Sequence, residues 1–228
     1  VEAGADLLEL GVPFSDPIAE GPTIQRASQR ALDNGTTLDH CLAAVAELRA
    51  GVSAGLLLMG YANPFARRGL GRCVDALSAA GGDGLIVVDL PPEMSGDLAS
   101  ACRARDLDLI TLAAPTTPLA RMRVIGSGAT GFVYCVSLTG VTGARTQLDR
   151  SLPEFLGRVR TVTALPRVVG FGIAQPEHVQ ALRLHAEGVI VGSALIDIVE
   201  RSEPGQAISD AAGHLQKLRA ATARDPDR

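Results

Sequence analysis

Seven short runs of apolar and β-branched residues recur along the chain, at 6–10, 54–59, 84–88, 107–112, 131–136, 167–170 and 188–191. Ala-, Leu- and Arg-rich segments with helical spacing separate them, among them "IQRASQRALDNG", "TLDHCLAAVAELRA", "LGRCVDALSAAGG", "GDLASACRARD" and "QPEHVQALRL". A strand that is apolar at consecutive positions is covered on both faces, and strands alternating with helices build a parallel sheet, doubly wound or closed as a barrel. No Pro- or Ser-rich linker divides the series, and 228 residues with 46% hydrophobic content suit one large domain. A closed (β/α)8 TIM barrel needs eight strands. The opening "VEAGAD" reads as the end of a helix entering a strand, so the expectation is a single barrel domain over 1–228 that lacks its first strand. "RDPDR" at 224–228 reads as a frayed tail.

Composition removes several classes of function. A net charge of −4 without blocks of like charge gives no electrostatic footprint for nucleic acid or an anionic membrane. Cys41, Cys73, Cys102 and Cys135 form no C-x-x-C pair, which points to reduced thiols rather than a disulfide framework or a zinc site. His40, His178, His185 and His214 lie far apart and read as surface or helix-edge residues, so no metal ligands are expected. The longest apolar runs, "GLLLMG" and "GLIVV", are too short to span a bilayer, and no signal segment leads the chain. A soluble, cytoplasmic protein is expected.

Active-site groups of a parallel barrel sit at the C-terminal ends of strands and on the loops that follow. Glu9 is an acid inside an apolar run, costly unless paired or used. The Pro-rich loop behind it, "GVPFSDPIAEGP", adds Asp16 and Glu20. Two carboxylates in different environments commonly divide acid and base roles. Late in the chain, "GFGI" and "VGSALIDIVE" follow consecutive strands. Gly172 lets the backbone approach an anion, and Gly192 and Ser193 open a helix whose free N–H groups favour negative charge. Such paired turns make a phosphate site. "VSLTGVTGARTQLDR" is long for a βα loop and reads as a lid, with Gly143 able to add a backbone N–H to the cradle.

In this order, "LELGVPFSDPIAEGPTIQ", "YANP", "VVDLPPE", "APTTP", "GFVYCVSLTGVTGA", "GFGI" and "VGSALI" closely resemble the tryptophan synthase alpha chain family over nearly the whole sequence. The resemblance implies a (β/α)8 barrel and a carbon–carbon lyase. That enzyme cleaves indole-3-glycerol phosphate to indole and glyceraldehyde 3-phosphate in tryptophan biosynthesis. It uses no metal or organic cofactor, and it hands indole to a pyridoxal-phosphate beta chain in an alpha2-beta2 tetramer. Glu9 matches the family's catalytic glutamate, Glu20 stands where the family has its catalytic aspartate, and Tyr134 matches a tyrosine near the reacting glycerol. Thr142 matches the lid threonine. Gly143, Gly172, Gly192 and Ser193 match the phosphate cradle, and Tyr61, Ile86 and Phe171 line or flank the indole pocket. Asp16 and Asn63 of the "YANP" loop match regions that face the beta chain.

Three departures accompany the resemblance: the glutamate at 20, the absent first strand, and "RLHAEGVIVGSA", which lacks the Gly-Ala-Asp usual before its strand. One added methylene moves a carboxylate by about 1 to 1.5 Å, a displacement large enough to matter for catalysis. Besides a working alpha chain, two readings follow: a stand-alone indole-releasing paralogue, and a non-catalytic alpha-like subunit. A Schiff-base aldolase is disfavoured, because the one lysine, Lys217, falls in the terminal helical segment.

Overall fold

A computed structural model describes residues 1–137 and 151–223. They group into two compact units, the first centred on Asp6–Thr111, the second holding Leu112–Ser127 and the residues from Phe132 on.

In the first unit, β1 (Leu7–Gly11), β2 (Gly55–Gly60), β3 (Gly84–Val87) and β4 (Asp108–Ala113) pair in sequence order, all parallel. Between them run α1 (Pro22–Asp33), α2 (Leu38–Arg49), α3 (Ala62–Arg68), α4 (Leu70–Ala79), a short 3-10 turn at Pro92–Met94, and α5 (Gly96–Arg103). Alternation along each strand sorts the sheet into two faces. Leu8, Leu10, Leu56, Leu58, Leu85, Val87 and Leu109 face the helices and pack with Val45, Phe65, Val74, Leu77 and Leu98. The in-register partners Glu9 and Leu57, and Met59, Ile86 and Ile110, occupy the opposite face.

The N-terminal ends of these strands are tied for stability. Asp83 accepts the Leu56 N–H at 2.7 Å and pairs with Arg49, whose guanidinium also donates to the carbonyls of Gly81, Val52 and Ala54. Thr37 caps α2 reciprocally with His40: each accepts from the other's backbone N–H.

In the second unit β5 (Val133–Val136), β6 (Arg167–Gly170) and β7 (Gly188–Val189) are again parallel and sequential. Its helices are α6 (Leu119–Gly128), α7 (Leu152–Arg160), α8 (Pro176–Leu182), α9 (Ser193–Arg201) and α10 (Ala207–Ala221). Leu152, Phe155, Leu156 and Val159 bury one side of α7. Arg167, 8% exposed, is matched by Glu187, which accepts its backbone N–H at 2.8 Å and its Nε at 3.0 Å. These hydrogen bonds hold the Glu187 carboxyl below its usual range.

All seven expected strands are present. Two local expectations need correction. The "YANP" segment is not a loop: α3 begins at Ala62, and Pro64 falls in the first helical turn, where its missing N–H costs nothing. His178 is not at the surface either. It is buried in α8, and its Nδ1 accepts the Ala174 N–H at 3.2 Å, which gives that nitrogen a partner inside the core.

Candidate functional site

Glu9 occupies the third position of β1, two residues before its end. Its neighbours across the ladder and on the same sheet face are Leu57, Met59, Ile86 and Ile110, of which Leu57, Ile86 and Ile110 are buried. An apolar surround stabilises the neutral acid, and burial pushes the Glu9 carboxyl up to about 7. That value lets one group both give and take a proton near neutrality.

The loop after β1 carries Asp16 and Glu20 and is fastened at several points. Ser28 of α1 accepts the Phe14 N–H at 2.9 Å and donates to the Phe14 carbonyl at 3.1 Å. The Glu20 N–H donates to the Pro17 carbonyl, and the Glu20 carbonyl accepts from Gln25 Nε2 at 2.8 Å. Burial raises the Glu20 carboxyl as well. Tyr61, 4% exposed, reaches this loop from the end of β2: its Oη accepts the Ala19 N–H at 2.8 Å, and its ring lies 5.2 Å from Phe14. Asp16 and Asn63 are exposed.

Asp89, just past β3, is a site residue that sequence reasoning missed. Its Oδ1 accepts the Ala62 N–H at 2.7 Å and so caps α3 directly after Tyr61. Its position immediately after an apolar strand was the available signal.

In the second unit Tyr134 is buried on β5 and meets Phe171 edge-to-face at 5.9 Å. Its ring crosses over Gly170 so closely that a Cβ there would stand 2.2 Å from the phenol oxygen, which makes glycine obligatory at that point of β6. Phe171 and Gly172 follow with φ of +67° and +74°, a turn held by a hydrogen bond from the Ser137 hydroxyl to the Phe171 carbonyl. Gly172 is exposed at this turn. Gly192 and Ser193 are likewise exposed at the start of α9, whose first free N–H groups suit an anion. Thr142 and Gly143 lie outside the described residues. Among those described, no group of three or more His, Cys, Asp or Glu could hold a metal ion.

Parallel βα units, a carboxyl poised near neutrality on a strand and glycine turns suited to phosphate define a class, the α/β-barrel enzymes that act on phosphorylated small molecules. Known proteins narrow the class. The family described as tryptophan synthase alpha chain matches residues 1–223, and the chain belongs to that family. A tryptophan synthase alpha chain from Roseiflexus castenholzii is 56% identical over 219 residues, covering 96% of this chain and 84% of the relative. One from Geobacter sulfurreducens is 44% identical over 96% of this chain and 83% of the relative. Among solved structures, the alpha subunit from Legionella pneumophila has a TM-score of 0.88 at 35% identity, covering 97% of this chain and 83% of that one. A Mycobacterium tuberculosis tryptophan synthase has a TM-score of 0.89 at 36% identity, with 98% and 84% covered.

The seven parallel strands among the described residues therefore belong to the TIM-barrel fold of this family. The chain is a lyase that converts indole-3-glycerol phosphate to indole and glyceraldehyde 3-phosphate in tryptophan biosynthesis. The stand-alone and non-catalytic readings gain no support from these relatives. Alpha chains of the family pair with a beta subunit. Among the described residues no helix is long and apolar enough to cross a membrane.

Proposed function

We propose that the lyase reaction is divided between Glu9 as the proton-transfer group and Glu20 as the electrostatic partner of the indole nitrogen. The observation that carries this reading is the Glu9 carboxyl, raised to about 7 by an apolar sheet face. Protonation of the ring carbon that bears the glycerol chain gives an indolenine-like cation with its charge at nitrogen. The bond to the chain then breaks, its electron pair returns to the ring, and the neighbouring hydroxyl becomes the aldehyde as its proton leaves. Glu9 gives the first proton and takes the second. Glu20 sits opposite the nitrogen as positive charge develops there.

Tyr134 lies along the glycerol chain, Ile86, Tyr61 and Phe171 flank the indole ring, and Gly143, Gly172, Gly192 and Ser193 receive the phosphate, with Thr142 also assigned to substrate binding. These roles follow the family's motif position by position. The reaction balances in protons alone, so we assign it no cofactor; pyridoxal phosphate belongs to the beta chain. Asp16 and Asn63, both exposed, face that beta chain in an alpha2-beta2 assembly, and the protein acts in the cytoplasm.

An indole-release assay on indole-3-glycerol phosphate tests the assignment. Glu9→Gln loses at least about 100-fold in turnover, the scale expected for a lost general acid–base group, and Glu20→Gln falls well below Glu20→Asp. Undiminished turnover in Glu9→Gln would overturn the mechanism.

A further inference from the structure

We propose that Tyr61 is a positioning residue for Glu20, its phenol oxygen and ring together fixing the loop that presents this carboxylate to the substrate. The inference rests on the assignment of Glu20 to the reaction. Tyr61 is buried, 4% exposed, and its backbone is fixed where β2 ends and α3 begins. From that base it grips the loop twice. The ring meets Phe14 near the start of the loop at 5.2 Å with a 31° tilt, and Oη accepts the N–H of Ala19, the residue immediately before Glu20. Two other ties, Ser28 to Phe14 and Gln25 to the Glu20 carbonyl, come from α1 and so move with the loop's own continuation. Tyr61 instead reaches the loop from beyond the end of β2, 42 residues away in sequence from Ala19. Asp89, capping Ala62, holds the backbone on which Tyr61 stands. Burial, and after it the charges of Glu20 and Asp89, raise the Tyr61 phenol above its usual range.

A side chain one methylene longer than aspartate makes such a tether consequential, because the added reach must be offset by where the backbone starts. Tyr61→Phe keeps the ring and its contact with Phe14 and removes only the acceptor for Ala19. One hydrogen bond of ordinary strength corresponds to a factor of roughly 2 to 13.

The test is steady-state indole release by the full chain, with kcat and KM measured separately, for Tyr61→Phe in the native and the Glu20→Asp backgrounds. The expected result is a kcat loss of about 3- to 10-fold with KM within 2-fold. The loss in Glu20→Asp should differ from it by at least about 3-fold, since interacting residues do not act independently. Phe14→Leu, which loosens only the ring contact, shows a smaller loss in the same direction. Equal fractional losses in the two backgrounds overturn the proposal, as does an effect confined to KM or to the melting temperature. Absence of indole release by the native chain would instead overturn the assignment on which the proposal rests, so the two failures are distinguishable.

Discussion

Glu9 holds its place through the backbone ladder of β1, and its chemistry comes from what surrounds it on one sheet face. A raised pKa carries a cost in stability whose sign is definite. The folded value of about 7 stands above the ordinary 4.5. Between those values the unfolded chain has released a proton that the folded one retains. Stability therefore falls as pH rises from 4.5 through 7, and the penalty stays constant above that. Glu9→Gln is thus expected to raise the melting temperature at pH 8 and to leave it nearly unchanged at pH 4, while activity is lost. Thermal melts of the two proteins at both pH values check this, and a smaller gain at pH 8 than at pH 4 contradicts it. The acid itself was legible as an anomaly in an apolar run. Its face was not, because β1 and β2 are apolar at consecutive positions and only the pairing register sets Glu9 with Leu57 and Ile86 rather than with Leu56 and Leu85. The contact between Tyr61 and Ala19 was not, since it joins residues 42 apart and depends on how a loop folds back.

Elements were legible where period and length agreed and illegible where a local rule has an exception. The seven strands stand out because each is a short apolar run between helical segments. Helix α3 did not, because proline reads as a breaker, yet at the third helical position it removes a donor that has no partner anyway. Asp89 supplies what the sequence pattern of α3 lacks, an acceptor for the Ala62 N–H from outside the helix. Removing it leaves that N–H without a carboxylate acceptor. Asp89→Ala is expected to cost about 1 kcal/mol, the usual worth of a helix cap. Urea denaturation should show a lower midpoint with an unchanged slope. Gly170 belongs to the same lesson: its requirement comes from the Tyr134 ring on the neighbouring strand, which no pattern along β6 reveals.

At the scale of the molecule, a net charge of −4 offers no general attraction for a phosphate ester, so affinity must be local. The glycine turns at Phe171–Gly172 and Gly192–Ser193 are the groups we assign to it. Glyceraldehyde 3-phosphate at 100 times its dissociation constant is expected to stabilise the fold by about 2.7 kcal/mol. For a chain of this length that is a rise of roughly 5 to 10 °C in melting temperature. Gly172→Ala, strained at φ +74°, should blunt the shift, which a thermal-shift titration would show. The two carboxylates differ in how they are anchored. Glu9 is set by strand pairing, whereas Glu20 hangs from side-chain tethers to Ser28, Tyr61 and Gln25. A reaction centre with one fixed pole and one adjustable pole is open to retuning: changes among residues 13–21 can respace the pair for a larger or smaller ring system while every strand keeps its register. The route from this activity to a neighbouring one therefore runs through a loop and leaves the barrel's architecture untouched.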